Sequence, residues 1–190
     1  MEIAVLVVAG VAILAVVALL TYNRFVRLRN TIDESWHNVD TELQRRYDLV
    51  PNLVDTVKGY AAHERTVFEA VTSLRTEAMA ERRAPDAQAP IEQALGQGVA
   101  QVMAVAEQYP DLKASDQFLG LQHELVDTED RIQVARRIYN ANVRSYNNLV
   151  QTFPSMLLAN AMHYGARPFF EVDRAVRAAG PPPVDVSGTT

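Results

Sequence analysis

Four histidines and no cysteine set the chemical repertoire of this 190-residue chain. Glu34-Ser35-Trp36-His37 carries the Glu-x-x-His spacing that places two metal ligands on one helix face. A di-metal centre of that kind needs a second such pair and two further glutamates, and the chain has no second Glu-x-x-His. His63-Glu64 and His123-Glu124 are adjacent pairs. Neighbours on a helix diverge by about 100°, so neither pair suits one ion. For nucleophilic chemistry there is no thiol and no Gly-x-Ser-x-Gly elbow. Gly96-Gln97-Gly98 lacks the lysine and the preceding strand of a phosphate-cradling loop. The expectation is a protein without catalytic, cofactor-binding or metal-binding residues, taking no small-molecule substrate.

The element that must position everything else lies at the amino terminus. Ile3 to Leu20 are eighteen residues with no charge, no proline and one glycine. As a helix they reach about 27 Å, enough to cross the hydrocarbon core of a bilayer. Tyr22, Arg24, Phe25, Arg27 and Arg29 follow, an aromatic and basic flank of the kind found where a span leaves the membrane. With only Met1 and Glu2 ahead of the apolar run, there is no basic leader of a cleavable signal. The reading is a retained transmembrane helix over 3–22 that contacts lipid. Residues 1–2 are then external and the rest lies at the cytoplasmic face of a bacterial plasma membrane, by the positive-inside tendency. A net charge of −5 argues against nucleic acid as a partner.

Beyond the span, residues 23–171 read as one helical domain, large enough at about 150 residues to bury a core. Phe118, Leu121, Leu125, Thr128, Ile132, Ala135, Tyr139, Asn142, Tyr146, Leu149 and Phe153 recur at spacings of three and four, a coiled-coil seam. Ser115 is its expected N-cap. Thr128 and Asn142 within the seam are expected to fix its register.

A second stripe runs through Ile32, Trp36, Val39, Leu43, Val50, Val54 and Val57 towards Val67, Val71 and Leu74. Pro51 within it cannot donate to the carbonyl of Tyr47, which predicts a kink or short break. Ile91, Leu95, Val99, Val102, Ala106 and Tyr109 form a third stripe, weakened at Gly96 and Gly98. Ala84–Pro90 and Tyr109–Asp111 read as turns. No glycine or proline separates Leu20 from Ile32, so the span is expected to continue into the first helix of the domain, over residues 3–49. Ser155–Tyr164 reads as a short helix and Gly165–Phe170 as an extended strip whose Phe169-Phe170 packs back onto the bundle. The end, 172–190, reads as a disordered tail.

Several strings, in order, resemble the LemA family of bacterial membrane proteins. They include Gln44-Arg45-Arg46-Tyr47-Asp48-Leu49-Val50-Pro51-Asn52-Leu53-Val54, Val57-Lys58-Gly59-Tyr60-Ala61-Ala62-His63-Glu64, Thr128-Glu129-Asp130-Arg131-Ile132, Ala135-Arg136-Arg137-Ile138-Tyr139-Asn140 and Arg167-Pro168-Phe169-Phe170-Glu171. The resemblance implies an amino-terminal anchor and a bundle of long helices, and it carries no established catalytic activity. Some relatives are linked to membrane organisation, including assembly of membrane organelles. Two departures are His37, where relatives tend to carry a small polar residue, and Met162-His163-Tyr164, where they carry a Phe-Gly-Phe-like string.

The polar residues of these strings have two readings. Arg45, Arg46, Asn52, His63, Glu64, Arg131, Arg136, Asn140 and Asn147 form either a buried network that docks the helices or a surface for a partner. Arg45 or Arg46 to Glu129 is the candidate ion pair. The fold expected is all-α: a transmembrane helix, then an antiparallel bundle of three to four long helices with coiled-coil-like packing. The function expected is a membrane-anchored scaffold or interaction protein that associates with itself or with another protein. A signalling subunit relaying a membrane state through a continuous helix is the alternative, and an enzyme the less favoured one.

Overall fold

The structure, a computed structural model, describes residues 1–61, 63–80 and 84–171. The expected disordered tail, 172–190, lies outside the described residues. Those that are described form helices α1 (Glu2–Lys58), α2 (Arg65–Met79), α3 (Pro85–Ala106), α4 (Pro110–Lys113), α5 (Asp116–Gln151) and α6 (Ser155–Ala161).

Helix α1 is 57 residues long, about 85 Å at 1.5 Å per residue. Its residues 2–20 are exposed throughout, and it is long and apolar enough there to cross a membrane. From Phe25 onward one face turns inward: Ile32, Val39, Leu43, Val50, Leu53 and Val57 are buried. Each such side chain is worth about 1.5–3 kcal/mol of burial. The helix does not stop at Pro51, so of the two expected outcomes, a kink or a short break, the break is absent. The Tyr47 carbonyl that Pro51 leaves without its helical donor takes one from elsewhere: Arg75 Nε of α2 donates to it at 2.6 Å.

Helix α5 runs antiparallel to α1, as three contacts along its length show. Phe25 meets Tyr146 with ring centroids 5.9 Å apart, Trp36 meets Tyr139 at 5.2 Å, and Arg46 meets Glu129 at 3.0 Å. The expected cap is in place, with Ser115 accepting from the Phe118 amide at 3.2 Å. The seam buries Phe118, Leu121, Leu125, Thr128, Ile132, Tyr139 and Tyr146. It departs from the expected pattern at three points. Val143 is fully buried where the expected seam runs through Asn142, which is half-buried. Phe153 lies past the end of α5 and is 72% exposed. Thr128 gives its hydroxyl to the Glu124 carbonyl of its own helix, 2.7 Å away, so that bond fixes no register with α1.

Helices α2 and α3 form a hairpin against the far half of α1. The predicted turn at Ala84–Pro90 is instead the first turns of α3, with Pro85 at a position where a missing N–H costs nothing. Gly98 marks a close approach of the two hairpin helices. A Cβ there would stand 3.3 Å from Val71 Cγ2 and 3.4 Å from Leu74 Cδ1, so the weak point of the third stripe is a close crossing.

The chain then returns along α5. Phe170 is buried and meets Trp36 edge-on at 5.3 Å, while Phe169 is half-buried, so the strip packs onto the bundle as expected.

Candidate functional site

Arg46 and Tyr47 sit on consecutive positions of α1, and both are buried. Arg46, 4% exposed, aims its guanidinium between α3 and α5. Its Nη1 donates to Glu129 Oε2 on α5 at 3.0 Å. Its Nη2 donates to the Glu92 carbonyl at 3.2 Å and closely to Glu92 Oε2 on α3. Glu92, 5% exposed, also accepts from the Tyr47 hydroxyl and from Gln88 Nε2. Gln88 in turn donates to the Ala78 carbonyl of α2 at 3.2 Å. One cation, two carboxylates, a phenol and an amide thus join all four long helices at one level.

Burial, and then the neighbouring Glu92 carboxylate, hold the Tyr47 hydroxyl above its ordinary pKa, so it stays a neutral donor. The Glu92 carboxylate is held by three donors, and the Arg46 guanidinium faces two carboxylates. Such groups are engaged in holding one another, which suits fixing and recognition better than proton transfer. Capacity remains at two atoms: Arg46 Nε and Gln88 Oε1 are buried without a hydrogen-bond partner among the described residues.

Beside this cluster lies a groove of about 540 Å³ between α3 and α5. Arg46, Glu92 and Glu129 line its polar side, and Val99, Met103 and Leu125 its apolar wall. A smaller groove of about 370 Å³ lies between α1 and α5, along Ser35, Thr41, Glu42, Val134 and Ile138.

The sequence-predicted residues do not form one network. Arg46 and Glu129 meet as an ion pair, whereas Arg45 is exposed and lies 3.6 Å from Glu42 on its own helix. Adjacent helical positions point about 100° apart, so only one of the two arginines can face inward. Asn52, His63 and Arg131 are also exposed, Arg131 pairing with Asp127 at 2.9 Å. Glu64 is half-buried, and half-buried Arg136 donates to Gln133. Glu34 and His37 are both exposed.

Asn140 and Asn147 form a separate, buried pair near the anchor. Asn140 takes the Phe170 amide at 2.9 Å and gives to its carbonyl at 3.2 Å. Asn147 does the same for Arg167, at 2.8 and 2.9 Å. Seven helical residues rise about 10.5 Å and three extended residues span about 10 Å, so both rungs close at once.

Sequence reasoning passed over Glu92, Gln88 and Tyr47. A signal was available for two of them: Gln88 and Glu92 are four apart and in phase with Leu95 and Val102 on the inward face of α3.

The LemA family profile matches residues 35–185. Among curated proteins, the chain is similar to the magnetosome protein MamQ 2 of Paramagnetospirillum magneticum, at 27% identity over 88% of this chain and 72% of that one. It is similar to the magnetosome protein MamQ of Magnetospirillum gryphiswaldense at 27% identity, over 79% of this chain and 66% of that one. Protein LemA of Metamycoplasma hominis is 27% identical over 69% of this chain and 60% of its own length.

Proposed function

The chain belongs to the LemA family, and from that premise we propose that it is a non-enzymatic, membrane-anchored scaffold or interaction module. It works by docking a partner or a second copy at the cytoplasmic face of the membrane. The observation that carries this reading is α1 itself. One helix runs from the apolar amino terminus, past Arg46, to Lys58, and sets the α3/α5 groove at a fixed height above the lipid. The cluster beside the groove supports docking over catalysis, because its carboxylates and guanidinium are already engaged with one another.

The arginines at 24, 27 and 29 favour an external amino terminus and a cytoplasmic bundle. Similarity to two proteins named as magnetosome proteins supports a role in membrane organisation. The unbroken α1 also favours a second reading, a relay that passes a change in the span to the Arg46 cluster.

The test is imaging of the full chain reconstituted in liposomes beside a truncated chain beginning at Arg24. Ordered arrays or deformed vesicles with the anchored chain alone are the expected result. Dispersed single bundles on undisturbed vesicles would sink self-assembly and leave crosslinking in cells as the route to a partner.

A further inference from the structure

The register of α5 against α1 gives the depth of its carboxyl end. Phe25, a turn past the apolar run, packs on Tyr146 of the antiparallel helix. From Tyr146 the helix continues five residues towards the span and descends about 7.5 Å. Gln151, its last residue, therefore lies level with Leu20 by this contact and with Arg24 by the Trp36–Tyr139 contact, within the turn where the apolar run meets its arginine flank. The chain comes back up at Tyr164, whose ring is 5.3 Å from Phe25. Residues 152–163, including α6, thus occupy the plane in which the span emerges.

At that plane the protein turns an apolar face outward. Helix α6 buries Ser155 and Ala159 against the bundle and leaves Leu157 59% exposed. Phe153 is 72% exposed, and Met156 and Met162 are over a third exposed beside it. Four large apolar side chains in one twelve-residue corner are an unusual load for a surface in water.

The charge around the corner has one sign. Between Ile3 and Ile32, and again between Arg131 and Phe170, there is no aspartate or glutamate. Arg24, Arg27 and Arg144 are exposed at this end, and Arg29 stacks over the Tyr164 ring at 5.2 Å. The first acidic residue above the span, Asp33, lies against Arg167 at 3.6 Å. An apolar patch level with the bilayer boundary and ringed by arginine matches an anionic lipid surface, acyl chains below and phosphates at the rim.

We propose that the α5–α6 corner is a second membrane contact, in which Phe153, Met156, Leu157 and Met162 enter the interfacial layer of the bilayer that α1 crosses. The inference rests on the reading of α1 as a span, since the span supplies the plane. Two contacts on one rigid body fix the bundle's tilt and its rotation about the anchor, which a single helix leaves free.

The chain has no native thiol, so single cysteines report cleanly. Leu157→Cys, Phe153→Cys, Val126→Cys at the far end of α5 and Val11→Cys in the apolar run would each carry an environment-sensitive fluorophore. The full-length protein would be reconstituted in vesicles of phosphatidylcholine with phosphatidylglycerol. All four positions are exposed, so labelling leaves the packed core intact.

The expected result is blue-shifted emission at 157, 153 and 11, quenched by lipid-attached and not by aqueous quenchers, with the reverse at 126. Label 11 in lipid but 157 and 153 open to the aqueous quencher would overturn the second contact and leave the span standing. A label at 157 shielded from both quenchers would place protein there, a second copy, and overturn it equally. Label 11 open to water would remove the span and the inference together.

Discussion

Two polar fasteners hold α5, and they are built on opposite principles. Near the anchor, Asn140 and Asn147 clamp the backbone of residues 167 and 170 with neutral amides, and all four side-chain N and O atoms have partners. Farther out, Arg46, Glu92 and Glu129 hold three helices with charges, border a groove and leave Arg46 Nε without a hydrogen-bond partner among the described residues. A satisfied neutral ladder has one good arrangement. A buried charge cluster with a spare donor is costly to desolvate and sensitive to what comes near. The contrast teaches where the molecule can respond: the end at the lipid is fastened, and the end at the groove is poised.

The largest test of that contrast is Arg46→Ala, which leaves Glu92 as a buried, uncompensated charge. A loss of about 3–5 kcal/mol is expected in chemical unfolding followed by circular dichroism. The double change Arg46→Leu with Glu92→Leu removes both charges and should restore most of that loss. A double variant as unstable as the single one would refute the charge account. At the other fastener, Asn140→Ala strands a buried amide and carbonyl of Phe170 and should cost about 1–3 kcal/mol. Its unfolding should not depend on salt.

His163 sharpens the anchor side further. It stands at φ 55°, the left-handed region that favours glycine. His163→Gly relieves that strain but costs more backbone entropy on folding, so a gain of no more than about 1 kcal/mol is expected in the same assay. Glu129→Gln should matter least at the charged end. The Glu129 side chain is 45% exposed, so about 0–1 kcal/mol is expected, weakening with salt.

The last test has no effect at neutral pH. Burial above all pushes Tyr139 up to about 12. A raised folded-state value means stability that is full below pH 10 and is lost as the pH rises from 10 towards 12. Tyr139→Phe should flatten the decline in that interval. An unchanged slope would show that the ring is not held out of water.

What could be read from the chain followed from local rules. The apolar run, the Ser115 cap and the α5 stripe each depend on residues a few positions apart. Continuity through Pro51 was not legible, because the donor that satisfies Tyr47 O is Arg75, 28 residues later. The seam read past its true end for a related reason. A strict 3.5-residue repeat assumes one partner helix, whereas α5 also receives the returning strip, which draws Asn140, Val143 and Asn147 inward. Glu92 was passed over because a charge on a helix reads as solvent-facing until its phase with Leu95 is weighed.

The uninterrupted α1 makes the protein a lever. From Tyr22 to Lys58 is about 54 Å of rod, so a change of about 10° in the tilt of the span carries the far end about 9 Å sideways. Spans tilt when bilayer thickness departs from their apolar length. A modest thickening or thinning of the lipid would thus be magnified into a displacement of about 6 Å, roughly half a helix diameter, at the level of Arg46 and the groove. Helix length converts membrane thickness into lateral position, and any resistance at the α5–α6 corner sets the gain.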